Sequence, residues 1–242
     1  MVNWITGTSD SVPRQVARLM ARRLRAATDE RATAVLAVPG GRSVQRVLEA
    51  LRAEDMEVPW DRVHVFFVDE RCVEPGSPDS NYQALREAFI DPLTAGGRLP
   101  GGNVHLPQEA GEGLCDPESY SRALEEVAAD SGRGRFDVVL LGVGEDGHVA
   151  SLFPDHPALG ETGHRYLLVE DAPKEPPRRI TASRSLIASA STAVALFLGE
   201  SKREALQRFR ALSPDAARAA VPELPCSLIH AADDAWAATD LA

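Results

Sequence analysis

The chain has 242 residues, 44% of them apolar and 26% charged, an ordinary globular composition with room for one large α/β domain or two small ones. Its formal net charge of −10 argues against non-specific attachment to nucleic acid or anionic membranes, and any anionic ligand would need a locally basic pocket. The opening residues, MVNWITGTSDSVPRQ, contain no apolar signal core, and no run of about 18 apolar residues occurs anywhere, so a cytoplasmic protein is expected.

In chain order, Val12, Val16, Leu19, Met20 and Leu24 fall on one face of a first helix, with Ser9 or Asp10 as N-cap. Arg14, Arg18, Arg22 and Arg25 form its outer, solvated stripe. Residues 33–38 read as a strand and Pro39-Gly40-Gly41-Arg42-Ser43 as a loop, after which Val44, Val47, Leu48 and Leu51 mark the buried face of a helix. Residues 63–68 form the next buried strand, ending in Asp69-Glu70-Arg71. Helices are predicted at about 81–90 and 117–130, on either side of a Gly/Pro-rich connection over 96–102. A central strand, Val138 to Leu141, is followed by strands over 166–169, 180–182, 192–198 and 227–230. Helices near 185–190, 200–211 and 233–240 separate the later ones. Strands alternating with helices imply a mostly parallel sheet covered on both faces. No linker stands out; Pro173 to Pro177 is the best boundary candidate and is short enough for a surface loop. Cys72, Cys115 and Cys226 are an odd, widely spaced set without a CxxC pair, so neither a disulfide framework nor a zinc site is expected.

Three strand ends carry polar loops. The turn Gly40-Gly41-Arg42-Ser43 opens onto a helix, where backbone N–H groups and the helix dipole suit a phosphate; without the GxxxxGK[ST] spacing, a monophosphate fits better than a nucleotide. The second loop, Asp69-Glu70-Arg71, precedes a polar segment, Asp79-Ser80-Asn81-Tyr82, that resembles a helix N-cap, and a purely structural ion cluster is the plain alternative for both. Cys72 beside Arg71 is a weak candidate for an activated thiolate, since no histidine pairs with it in sequence. The third loop, Gly142-Val143-Gly144-Glu145-Asp146-Gly147-His148, delivers an acid and a histidine at the carboxyl end of the central strand. Its glycines also match a dinucleotide fingerprint, with Glu170 near the expected ribose acid. Pro154 and Pro157 stop the helix such a site requires, and Asp146 would oppose a pyrophosphate.

GVGEDGHVASLFP, FFVDERCVEPGSPDSNY, VPGGRS and RRIT together resemble the signatures of the 6-phosphogluconolactonase family, which is related to glucosamine-6-phosphate deaminase. The resemblance spans nearly the whole chain. It implies a single-domain, Rossmann-like α/β fold over residues 1–242 with neither metal nor organic cofactor, and hydrolysis of 6-phospho-D-glucono-1,5-lactone to 6-phosphogluconate. His148 would be the general base and acid, oriented by Asp146 or Asp69, with Arg71 or loop N–H groups stabilising the oxyanion. Gly40, Gly41, Arg42 and Ser43 would hold the phosphate, with Arg179 and Lys202 supplying charge. Asn81, Gly142, Gly144 and Gly147 complete the expected substrate contacts. Which of Arg178 and Arg179 faces the pocket stays open. Arg42 departs from the threonine or serine usual at that turn position. The deaminase branch typically continues past the histidine with an Asn-Glu pair, whereas Ala150-Ser151-Leu152-Phe153-Pro154 stands here. A non-catalytic sugar-phosphate sensor would keep the turn and the cations but would have no need of Asp146 and His148. The expected partner is a small phosphosugar lactone, with no nucleic acid or membrane, and the chain is read as a monomer or weak homodimer.

Overall fold

A computed structural model of the protein describes residues 1–107, 115–129 and 134–241. Its first half runs β1 (Asn3–Thr6), α1 (Ser11–Glu30), β2 (Ala34–Val38), α2 (Arg42–Leu51), β3 (Val63–Phe67), β4 (Asp69–Arg71), α3 (Asn81–Leu85), α4 (Asp91–Ala95), β5 (Val104–His105) and α5 (Pro117–Val127). The second half adds β6 (Val138–Gly142), β7 (Tyr166–Val169), β8 (Arg179–Ala182), α6 (Arg184–Ala188), β9 (Thr192–Phe197), α7 (Arg203–Arg210), α8 (Pro214–Ala220) and β10 (Asp234–Thr239). Seven strands form one parallel sheet in the order β1-β10-β9-β6-β2-β3-β5, and β4, β8 and β7 form a separate antiparallel sheet.

Period-two alternation sorts the core of the large sheet onto two faces. Ala34, Leu36 and Val38 of β2 pack with the buried faces of α1 and α2. Val35 and Ala37 face the opposite layer, with Tyr120, Leu186 and Leu206. In β6, Val138 and Leu140 go to the first layer and Val139 and Leu141 to the second. On α1, Val12, Val16, Leu19, Met20 and Leu24 are all buried, as their spacing predicts, each contributing about 1.5–3 kcal/mol of apolar transfer. Helices therefore cover both faces of the parallel sheet. Among the described residues no helix is long and apolar enough to cross a membrane.

Five expectations need correction. Asp69-Glu70-Arg71 is not a loop but β4: Val68 donates to Val38 of the large sheet and accepts from Ala182, so the chain changes sheets across a single residue. Residues 227–230 lie in a 3-10 helix, Pro225–Ala231, and residues 234–239 form β10 instead of a helix. The Ala-rich segment has helical propensity, but two parallel neighbours, β1 and β9, supply hydrogen bonds on both its edges, and that tertiary context wins. The N-terminal strand β1 and the helix α8 have no counterpart in the sequence reading; β1 buries only Ile5 and so lacks an apolar alternation. Finally, Cys72 and Cys115 are joined by a disulfide, their Cα atoms 5.6 Å apart, leaving Cys226 buried and free. The fold brings the turn after β4 beside the start of α5, which spacing along the chain does not reveal. With its sulfur bonded, Cys72 is not an activated thiolate.

Two outcomes follow for stability. Closing 43 residues of chain, the bridge should contribute about 2–4 kcal/mol, so Cys115→Ser should lower the urea midpoint accordingly under non-reducing conditions. At the edge of the sheet, His105 stacks on Phe66 with ring centroids 4.2 Å apart and lies 2.9 Å from the His64 ring nitrogen. Burial, reinforced by His64, pushes the His105 pKa down from 6.5 to about 4. Between those values the unfolded chain binds more protons than the folded one. The stabilisation is therefore full above pH 6.5 and lost as pH falls toward 4. The urea midpoint should decline through this window in the wild type and decline less in His105→Phe.

Candidate active site

The order of the parallel sheet reverses between β2 and β6: from β2 the chain moves outward to β3 and β5, then returns to place β6 on the other side. Crevices at the carboxyl ends of such strands are the usual ligand sites of open α/β sheets. Here a cleft of about 700 Å³ opens at that point, bounded by the loops after β2, β6 and β9. Gly40, Gly41, Arg42 and Ser43 form one wall, where the chain enters α2 through Gly41 at φ +112°. The first turn of α2 presents N–H groups without intrahelical partners, at the positive end of the helix dipole. Gly40 has no room for a side chain: a Cβ there would lie 2.0 Å from Asn81 Oδ1.

The opposite wall is the loop after β6. Gly144 N donates to the His148 carbonyl at 2.8 Å and Gly147 N to the Gly144 carbonyl at 3.1 Å, folding the loop tightly. A Cβ on Gly144 would lie 1.9 Å from His148 Nδ1, so only glycine permits this approach. His148 Nδ1 lies 2.5 Å from Asp146 Oδ1, and the ring rests on Phe153 with centroids 4.7 Å apart. With Nδ1–H donated to the carboxylate, the lone pair resides on Nε2, the arrangement a general base needs. Burial opposes ionisation of Asp146, yet its bonds from His148 and the charge of Lys174 hold the carboxyl well below the usual range.

Beyond β9, Gly199 N donates to Asp240 Oδ1 at 2.8 Å, and a 3-10 turn then carries Lys202 into the cleft. Burial lowers the Lys202 pKa, opposed by Glu145 and Asp146 and reinforced by Lys174. Lys174, with Nζ 3.5 Å from His148 Nδ1 and 3.9 Å from Asp146 Oδ2, comes from the Pro-rich segment. Four cations, Arg42, Arg46, Lys174 and Lys202, thus line the cleft of an acidic chain, against the carboxylates Glu145 and Asp240.

Of the residues proposed from sequence, Gly40, Gly41, Arg42, Ser43, Gly142, Gly144, His148 and Lys202 line the cleft, and Asp146 bonds to His148 from behind. Gly147, at φ +89°, serves the loop from outside, packed against Leu224. Asp69, Arg71, Asn81 and Arg179 sit behind the walls. Asp69 does not reach His148; it accepts from Ser151 Oγ at 2.7 Å and, less closely, from Asn81 Nδ2 at 3.4 Å. Arg71 donates to the Asp79 carbonyl at 2.5 Å, away from the cleft. Asn81 Nδ2 donates to the Asp69 carbonyl at 2.8 Å and braces Gly40. Arg179, only 4% exposed, donates to the carbonyls of Pro176, Lys174 and Glu175 and to Ser151 Oγ. Of the two candidate arginines it is the buried one, and it fastens the segment that presents Lys174. Lys174, Arg46, Glu145, Ser201 and Asp240 were absent from the proposed contacts. The one signal for Lys174 was its place among the prolines before RRIT.

This division separates two variants. Arg179→Ala strips several carbonyls of a charged donor and should cost about 2–4 kcal/mol in urea unfolding. Lys202→Ala, facing the cleft, should change stability by less than about 0.5 kcal/mol.

The family profile described as glucosamine-6-phosphate isomerases/6-phosphogluconolactonase matches residues 7–237. A 6-phosphogluconolactonase of Synechocystis sp. is 36% identical over 187 residues, covering 76% of this chain and 74% of that protein. An endoplasmic bifunctional protein of Homo sapiens is 36% identical over 175 residues, 70% of this chain; the chain spans only 21% of that longer protein. The crystal structure of a 6-phosphogluconolactonase from Shewanella baltica superposes with a TM-score of 0.76 at 24% identity, over 99% of this chain and 97% of that one, a likeness of fold. The chain belongs to the glucosamine-6-phosphate isomerase/6-phosphogluconolactonase family.

Proposed function

We propose that the protein hydrolyses 6-phospho-D-glucono-1,5-lactone to 6-phosphogluconate, the second step of the oxidative pentose phosphate pathway. One observation carries this reading: a histidine oriented by a carboxylate opens on the same cleft as a helix N-terminus and a lysine suited to a phosphate. The 6-phosphate is held by the Gly40–Ser43 turn and Lys202, which leaves the lactone carbonyl toward the β6 loop. His148 Nε2 takes a proton from water as its oxygen bonds to the carbonyl carbon. The oxyanion is stabilised by N–H groups of the β6 loop and by Lys174, in the role the sequence suggested for Arg71. Collapse then breaks the bond from carbon to the ring oxygen, which receives the proton back from His148. Asp146 fixes the tautomer and supports the imidazolium formed in between. Lactone hydrolysis needs only these two proton transfers.

The family name also covers glucosamine-6-phosphate isomerases, and one fold neighbour is described as a glucosamine-6-phosphate deaminase. Past His148, the deaminase-like carboxylate position is held by apolar and hydroxyl residues. Ser151 is fully buried against Asp69, and Asp155 does not line the cleft. That favours the lactonase. We read residues 1–242 as one lactonase domain, cytoplasmic, and a monomer or weak homodimer. Exposure of only Met1 and Trp4 among the large apolar side chains described supports the last point. In a reducing cytoplasm the Cys72–Cys115 bridge would open, so the fold has to stand without it.

Hydrolysis of freshly generated lactone should exceed its spontaneous opening, with no ammonia released from glucosamine 6-phosphate; the reverse pattern would overturn the assignment. His148→Ala should keep the fold and lose about 10²–10⁴-fold in turnover. Asp146→Asn should fall in the same range, while Asp69→Asn should act mainly on stability. Lys202→Ala should lower kcat/KM for the phosphorylated lactone far more than for gluconolactone. Equal losses would remove Lys202 from the phosphate site.

A further inference from the structure

A second cavity, of about 240 Å³, lies among α6, α8 and the 3-10 helix Pro225–Ala231, and it shares no residue with the cleft. Val221 and Leu228, both buried, give it apolar walls, and its charged groups are Arg184 and Arg218. Among the described residues no carboxylate lines it, although the chain as a whole carries a net charge of −10. Among the described residues neither arginine has a hydrogen-bond or ion-pair partner.

His230 closes the cavity from the end of the 3-10 helix, its ring against Phe209 with centroids 5.0 Å apart. Both its ring nitrogens are buried without a partner, an arrangement native proteins seldom leave unrelieved. Burial, and then the nearby N-terminal ammonium, lowers its pKa, so the ring is neutral at pH 7. A neutral imidazole offers one donor and one acceptor.

We infer that this cavity is a binding site for a small organic monoanion with an apolar body, an aromatic or short aliphatic carboxylate. Two unpaired guanidinium groups recognise the carboxylate, since their forked donors match its two oxygens. The apolar walls take the body of the ligand, which a bare phosphate or sulfate lacks. A metal ion is repelled by the same arginines. The site also adjoins the catalytic loop: Cys226 N, on the cavity's own 3-10 helix, donates to the Gly147 carbonyl at 2.9 Å, and Leu224 packs on Gly147. An occupant therefore bears on the element that holds the His148 loop in place.

Benzoate is the probe, measured by titration calorimetry on folded protein, with benzyl alcohol as its uncharged counterpart. Benzoate should bind saturably to the wild type and to Lys202→Ala with equal affinity. It should lose about tenfold or more in the double variant Arg184→Ala/Arg218→Ala, as expected for charge-assisted hydrogen bonds. Benzyl alcohol should bind about tenfold more weakly or worse. Ala188→Leu, which fills space without altering charge, should also abolish binding. Undiminished affinity in the double variant, loss of affinity in Lys202→Ala, or no saturable binding up to about 10 mM would each overturn the proposal.

Discussion

The arrangement around the cleft depends on one buried carboxylate. Glu70 is fully buried and accepts from the backbone N–H groups of Arg71, Asn81 and Tyr82 and from the Ser80 hydroxyl, at 2.7–2.9 Å. Burial raises its pKa in spite of these four bonds, which shows how far desolvation weighs against the ion. The bonds tie the start of α3 to β4. They thereby set Asn81 against Gly40, and the phosphate turn rests on Asn81. A carboxylate taken out of water persists only where donors surround it, so this frame is rigid by necessity.

Behind the opposite wall a parallel frame uses Asp69, Ser151, Thr181 and Arg179. Ser151 N donates to Thr181 Oγ1 at 3.2 Å while its hydroxyl bonds Asp69, so the chain is anchored three residues after His148. Arg179 closes the network and holds the Lys174 segment above it. Charged side chains of the motif residues thus divide by burial. The deeply buried Asp69, Glu70 and Arg179 brace the backbone, the half-buried Arg71 is tied to the Asp79 carbonyl, and His148 and Lys202 face the cleft.

Much of this was legible from residue types alone. The apolar runs before Gly40 and Gly142 are buried on both faces, and a helix or loop signal follows each, so the strand ends and their chemistry could be read directly. The DER segment misled because Asp69 and Glu70 are buried in polar networks, a pattern that hydrophobic periodicity cannot detect. Arg179 looked like a ligand because a cation in a motif carries no mark of whether water or carbonyl groups surround it. Residues 227–240 misled in the other direction. A short apolar run became a buried 3-10 helix, and an alanine-rich segment became a strand because two neighbours were waiting for it.

The position of β10 also governs how the chain is assembled. It inserts between β9 and β1, and among the described residues β1 has no other partner in the sheet. Among the strands described, β1 precedes all the others in sequence, yet it cannot be paired until β10, which follows all the others, has been made. Until then β1 and the exposed edge of β9 are both open to non-native pairing. The short β1, flanked by the polar Asn3 and Thr6 and burying only Ile5 at the end, offers little apolar surface for wrong pairing while it waits in water.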